Sequence, residues 1–212
     1  MQIISILSEK STENLQKTHI MKEYNEKTEK SIVNANYIHI IGKINGKFAE
    51  NAQNDRKQPY STKVETERKS GTKDVLPLFA AEKMEDGSMV EIWGRVRTRM
   101  QQGRKLIYIQ AEQIRPTGAA PVNEAYLEGT LCKDAIFRKT PAGREITDLM
   151  IASNGGGTSA YVPCICFGMN ARRTGGLPVG TKVQLWGRMQ SRTYKEVYTA
   201  YEIAANRIEV IL

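Results

Sequence analysis

Residues 90–99 read VEIWGRVRTR, and residues 183–192 read VQLWGRMQSR. In each, apolar residues alternate with polar ones up to the tryptophan: Val90 and Ile92 flank Glu91, and Val183 and Leu185 flank Gln184. A period of two marks a strand with one face in a core and the other outside it. Trp93 and Trp186 fall out of step with the apolar residues, so they should point away from the core. A glycine follows each tryptophan, and glycine inside a strand marks a bulge or a bend at a barrel corner. Beyond it, Arg95, Arg97 and Arg99 recur every second residue and share one strand face, as do Arg188 and Arg192.

The two phrases belong to a longer repeat. Upstream, NYIHIIGKI from Asn36 matches NEAYLEGTL from Asn123, each with an asparagine six residues before a glycine. VLPLFAA from Val75 matches YVPCICF from Tyr161, with Pro77 opposite Pro163. Each copy closes on a strand-like run, LIYIQAEQI from Leu106 and AYEIAANRI from Ala200. Turn signals separate the runs: QQGRK (101–105), KTPAGRE (139–145) and the glycine-rich SNGGGTS (153–159). A short helix is expected after the third strand of each copy, at 81–84 and 170–173. Five short strands with such a helix describe a five-stranded Greek-key OB barrel. The expected fold is therefore mainly β. An OB domain at 31–115, a short linker at 116–122 and a second OB domain at 123–212 follow a polar arm at 1–30, partly disordered or helical.

Charge narrows the partners. The 212 residues carry a formal net charge of +8, which favours a polyanion. No run of 18 apolar residues exists to cross a membrane as a helix. The N-terminus lacks the basic region and cleavage site of a signal peptide. Cys132, Cys164 and Cys166 form no spaced framework, so reduced core thiols in the cytoplasm are expected. Cys164 and Cys166 without a second pair are a poor zinc signal, and His19 and His39 lie near no nucleophile motif. With no phosphate loop or paired carboxylates, neither enzyme activity, metal nor cofactor is expected.

These elements resemble the bacterial single-stranded-DNA-binding protein family, in its two-barrel variant of clostridia and mobile elements. The second copy carries the resemblance over about 90 residues, through NEAYLEGTL, FRKTPAGREITDLMIASN, YVPCICFGMNARR and LPVGTKVQLWGRMQSRTY. The resemblance implies sequence-tolerant coating of single strands in replication, recombination or repair. It also implies a homodimer that assembles four barrels, in the nucleoid-associated cytoplasm. Three of the family's base-stacking positions fall on Tyr161, Phe167 and Tyr194; in the first copy they become Val75, Ala81 and Gln101. The sequence ends in RIEVIL, without the acidic recruiting tail usual in the family.

Stacking needs flat rings, and the backbone needs cations to track its phosphates. The candidate cations are Arg95, Arg97, Arg99, Arg188 and Arg192 on the strands, with Arg138, Lys139 and Arg144 around the second copy's hairpin and Lys105 in the first copy's turn. Arg172 and Arg173 read better as a solvated helix face. Tyr161 and Phe167 are expected on opposite faces of their strand. Trp93 and Trp186 have two readings, base stacking or packing against the other barrel or a second subunit. The alternatives to DNA coating are an RNA-binding or primosome-associated OB module, and a protein-interaction adaptor.

Overall fold

Asn36 and Asn123 open the first strand of each copy, and both are used in the same way. Asn36 donates from Nδ2 to the carbonyl of Val96 (2.8 Å) and accepts the Val96 N–H at Oδ1 (2.9 Å). Asn123 does the same to Met189, at 2.7 and 2.9 Å. A side-chain amide presents the donor and acceptor of a peptide group, so each asparagine prolongs the ladder by one rung. The computed structural model describes residues 35–51, 57–101, 103–155, 157–194 and 198–211, the last residue before the gap, Tyr194, through its backbone alone. The expected arm at 1–30 lies outside the described residues.

The strands are β1 (Asn36–Ile44), β2 (Ala49–Glu50), β3 (Tyr60–Glu67), β4 (Lys73–Ala80), β5 (Met89–Gln101) and β6 (Arg104–Pro116) in the first copy. The second has β7 (Val122–Leu131), β8 (Ile136–Lys139), β9 (Glu145–Gly155), β10 (Thr158–Phe167), β11 (Lys182–Tyr194) and β12 (Tyr198–Ile211). One helix, α1 (Gly168–Thr174), lies between β10 and β11. In the first copy β1 pairs with β3, β3 with β4, β4 in parallel with β6, β6 with β5, and β5 with β1. β7, β9, β10, β12 and β11 close a second ring in the same order, again with one parallel pair. These are the two tandem OB barrels the repeat predicts. Closure removes the open edges that a flat sheet would expose.

One expectation fails. Residues 81–84 form no helix, and the first barrel has none among its described residues. The connection from Ala80 to Met89 is eight residues long, 81–88, whereas that from Phe167 to Lys182 runs over 168–181. The shorter one is taken up by bends and a tight turn, closed by Ser88 N–H to Glu85 O at 3.2 Å with Gly87 at φ 84°.

The inward residues fill the barrels. Ile38, Ile40, Leu76, Leu78, Ile92 and Ile109 are fully buried in the first, as are Leu127, Ile151, Val162, Cys166, Leu185 and Ile203 in the second. The Trp–Gly pairs are where the ladders shift register: between Trp93 and Gly94 against β6, and between Trp186 and Gly187 against β12. The partner backbone comes so close there that a Cβ on Gly94 would lie 2.0 Å from the Gln110 carbonyl oxygen. At Gly187 the distance to the Ala204 oxygen would be 2.2 Å. The repeated glycine is thus required by close approach of backbone at a bulge, which bends the long strand around the barrel.

The barrels join through their first strands. β1 pairs antiparallel with β7, from Asn36 opposite Leu127 to Ile41 opposite Val122. Ile38 lies opposite Ala125, its own counterpart in the repeat, so the two copies are related by an approximate two-fold axis through that pair. The replacement Gly187→Ala is expected to destabilise the protein by roughly 1–3 kcal/mol through overpacking. Gly118→Ala, with nothing within 4 Å of the added carbon, serves as the neutral control in thermal unfolding.

Candidate nucleic-acid interface

The outer face of β10 carries Tyr161, Pro163, Ile165 and Phe167. Six residues are three full pleats, so Tyr161 and Phe167 share this face, and the expectation that they oppose each other is corrected. Tyr161 is 48% exposed. Phe167 is half-buried and rests on a small outer cluster of Ile146, Ile165 and Ala204, which holds its ring from below. Cys164 and Cys166 alternate with them into the core, and burial pushes both thiols up. Tyr194 ends β11, its backbone opposite Tyr198; its side chain lies outside the described residues.

Cations flank this face. Arg138 on β8 makes a two-pronged contact with Asp148, Nε to Oδ2 at 2.6 Å and Nη2 to Oδ1 at 3.2 Å. Glu145 sits between Arg172 (2.5 Å) and Lys139 (3.8 Å), and the Arg172 hydrogen bond holds its carboxyl below the usual range. Arg144, in the tight turn, is exposed. The cations of these pairs are solvent-facing, where water and salt screen the attraction. From the other barrel, Lys105 Nζ reaches to 5.7 Å from the centre of the Tyr161 ring, and the Arg104 guanidinium to 5.6 Å from that of Tyr198.

The strand arginines do share the outward side of β5 and β11, but they take up different duties along it. Arg95 pairs with Glu112, and Arg192 with Glu202. Arg97 is only 9% exposed and bridges the barrels, donating to Gln110 Oε1 (2.8 Å) and to the Thr158 carbonyl across the seam (3.0 Å). Burial, then the neighbouring Arg95, lowers its pKa. Arg188 is half-buried, its pKa lowered by burial and then by Arg68, and its Nε has no hydrogen-bond partner among the described residues. The seam repeats about the two-fold axis. The Tyr161 N–H donates to Thr98 Oγ1 at 3.1 Å, and the Val75 N–H donates to Ser191 Oγ at 3.3 Å. On the second side Asp74, fully buried, accepts from the Ser191 N–H (2.8 Å) and from both prongs of Arg68 (2.6 Å each).

Arg99 covers an aromatic ring. Its guanidinium lies 4.2 Å from the centre of Phe79, which is only 5% exposed and meets Tyr108 edge-on at 4.7 Å. Val75 occupies the place of Tyr161 in this barrel. The first barrel therefore offers no open ring on β4, the counterpart of β10.

The tryptophans lie elsewhere, on the outer face of the joined sheet. Trp93 stacks on His39 at 3.7 Å and 6° between planes. Trp186 lies between Tyr126, 5.2 Å away, and the Arg207 guanidinium at 4.6 Å, and Tyr37 follows Tyr126 at 5.6 Å. His39 also bonds Glu91 at 3.0 Å; burial nevertheless lowers its pKa. Sequence reasoning did not pick out Tyr37, His39, Tyr126, Arg104 or Tyr198 as site residues. The alternation of β1 and β7 carried the signal for the first three, since each is out of step with its strand's core residues. Arg104 and Tyr198 sit at hairpin ends, where only the relative placement of the barrels gives them a role.

Residues 122–211 match the Single-strand binding protein family. The second barrel is similar to that family from β7 to β12. The family is one of binding proteins rather than enzymes, and its match stops short of the first barrel, whose β4 presents no open ring. No curated protein matches the sequence. The fold is similar to two solved structures of the single-stranded DNA binding protein from Thermus aquaticus, a deletion mutant and the wild type. Both give a TM-score of 0.63, at 19% and 18% identity, covering 84% of this chain and 94% and 93% of theirs. At that identity the likeness establishes the shared fold.

Proposed function

We propose that the protein binds single-stranded DNA with little sequence preference, and coats it during replication, recombination or repair. The observation that carries this reading is the family match over a barrel whose β10 presents Tyr161 and Phe167 outward between flanking cations. Every base has a flat face, so rings of this kind accept any sequence, while Arg138, Lys139, Arg144 and Lys105 meet the backbone. Arg97, in the seam, acts by holding the barrels together; Arg188 and Arg192 lie at the seam's edge. The first barrel contributes position and charge more than stacking, because Arg99 already occupies the face of Phe79.

The aromatic face of the joined sheet supports a second part of the reading. Trp93, His39, Tyr37, Tyr126 and Trp186 cross four neighbouring strands, β5, β1, β7 and β11, in one row. We propose that two chains pack through this face to give a dimer of four barrels. Light scattering is expected to report twice the mass of one chain, and Trp186→Glu to reduce it to one; a wild-type monomer would overturn the dimer.

Binding itself is tested by retention of radiolabelled oligo(dT) on filters, against duplex DNA of equal phosphate content, at low and high salt. Wild type is expected to prefer the single strand and to lose affinity with salt. Tyr161→Ala is expected to weaken binding by about 1–3 kcal/mol. Retention without single-strand preference would leave the adaptor reading in front, and a preference for oligo(U) would favour the RNA module.

A further inference from the structure

The start of β10 is held from outside its own barrel. Within the second barrel β10 pairs with β9 from Thr158 to Phe167, and its bonded stretch to β12 is Cys164 and Ile165. The Tyr161 N–H lies before that stretch and is taken by the Thr98 hydroxyl of the first barrel, 3.1 Å away. Three residues earlier, the Thr158 carbonyl accepts from Arg97 Nη1 at 3.0 Å, while Gln110 Oε1 holds the same guanidinium through its Nε at 2.8 Å. The end of β9 is seated as tightly. A Cβ on Gly155 would lie 2.9 Å from Arg95 Nη1 and 3.2 Å from the Asn36 Cβ. The first barrel thus fixes the segment that delivers Tyr161.

The other side of the seam makes the contrast. The repeat places Gln190 where Arg97 stands and Ser191 where Thr98 stands. Ser191 Oγ accepts the Val75 N–H at 3.3 Å, so a hydroxyl holds the matching strand there too. Gln190, though, bonds within its own barrel, to Glu202 (2.7 Å) and Arg188 (3.2 Å). The arginine that reaches from β5 to β10 stands on the side that carries an open ring.

We propose that Thr98 and Arg97 are positioning residues for Tyr161: the first barrel aims the stacking ring of the second, and these two side chains do not themselves touch the DNA. This rests on the single-strand reading above. A ring near the start of a strand moves with its backbone, and ordering it at the moment of binding costs entropy. Bonding the Tyr161 amide, and the carbonyl three residues before it, sets the direction of the ring before a base arrives. Arg97, only 9% exposed, then has a task other than the phosphate contact that its place in the arginine row suggests.

The test titrates oligo(dT) into the full chain and into Thr98→Val, Thr98→Ser, Tyr161→Ala and the double variant Thr98→Val/Tyr161→Ala. Valine keeps the shape of threonine and removes the hydroxyl, whereas serine keeps the hydroxyl. Thr98→Val is expected to weaken binding by about two- to tenfold, the effect of one lost hydrogen bond, and Thr98→Ser to bind as the wild type does. Once Tyr161 is replaced, Thr98→Val is expected to have no further effect, because it acts through that ring. Arg97→Gln is expected to weaken binding with the salt slope unchanged. Wild-type affinity in Thr98→Val would overturn the proposal, as would additive losses in the double variant. A slope lower by about 0.7 in Arg97→Gln would make Arg97 a phosphate contact and overturn its part. Should Arg97→Gln fail to fold, the Thr98 series decides alone. Failure of the wild type to bind, or wild-type affinity in Tyr161→Ala, would instead overturn the single-strand reading at that ring.

Discussion

The antiparallel pairing of β1 with β7 is the constraint on which the rest of the structure depends. In each barrel one edge of the first strand is bonded to the long strand carrying the Trp–Gly pair. The other edge, over 36–41 and 122–127, would be open in an isolated barrel. An open edge is a template for pairing with another chain. Here the two edges satisfy each other within one chain, and their register fixes a two-fold relation about Ile38 and Ala125. From this follow the paired seam bonds at Thr98 and Ser191, and the aromatic row that crosses both barrels. It also leaves β10 facing away from the joined sheet, where it is open to solvent at Tyr161.

Duplication made the barrels alike in backbone and left them free to differ in side chains. Where the second barrel exposes Tyr161, the first has Val75, and the ring it does possess, Phe79, lies beneath Arg99. The seam differs likewise. One side is closed by a buried carboxylate with its arginine, Asp74 and Arg68, and the other by Arg97 reaching a backbone carbonyl. A buried charge requires a partner within hydrogen-bond reach, and in both solutions it has one. The asymmetry concentrates open rings on one barrel while cations are supplied by both.

Much of this was legible in the residues. The period-two alternation of Val90 and Ile92, and of Val183 and Leu185, gave the strands. The recurrence of Asn, Pro and Trp–Gly in order gave two barrels of one kind. The direction of Trp93 and Trp186 followed from the same alternation. What the sequence concealed is what depends on one barrel lying against the other. Arg97 and Arg99 sit two residues apart with the same parity, yet one enters the seam and the other covers Phe79. Nothing local to the strand distinguishes them. The missing helix at 81–84 was concealed for another reason: AEKM has helical propensity, but a connection of eight residues must also turn the chain.

The central claim is that a single strand lies on the outer face of β10, and not on β4 of the first barrel. Hydroxyl-radical footprinting of the full chain, with and without saturating oligo(dT), tests it most directly, because aromatic side chains report their own solvent exposure. The account predicts protection of Tyr161 and Phe167 by the strand, with Phe79 equally shielded in both states. Protection centred on the first barrel's β4, with Tyr161 and Phe167 unchanged, would contradict it.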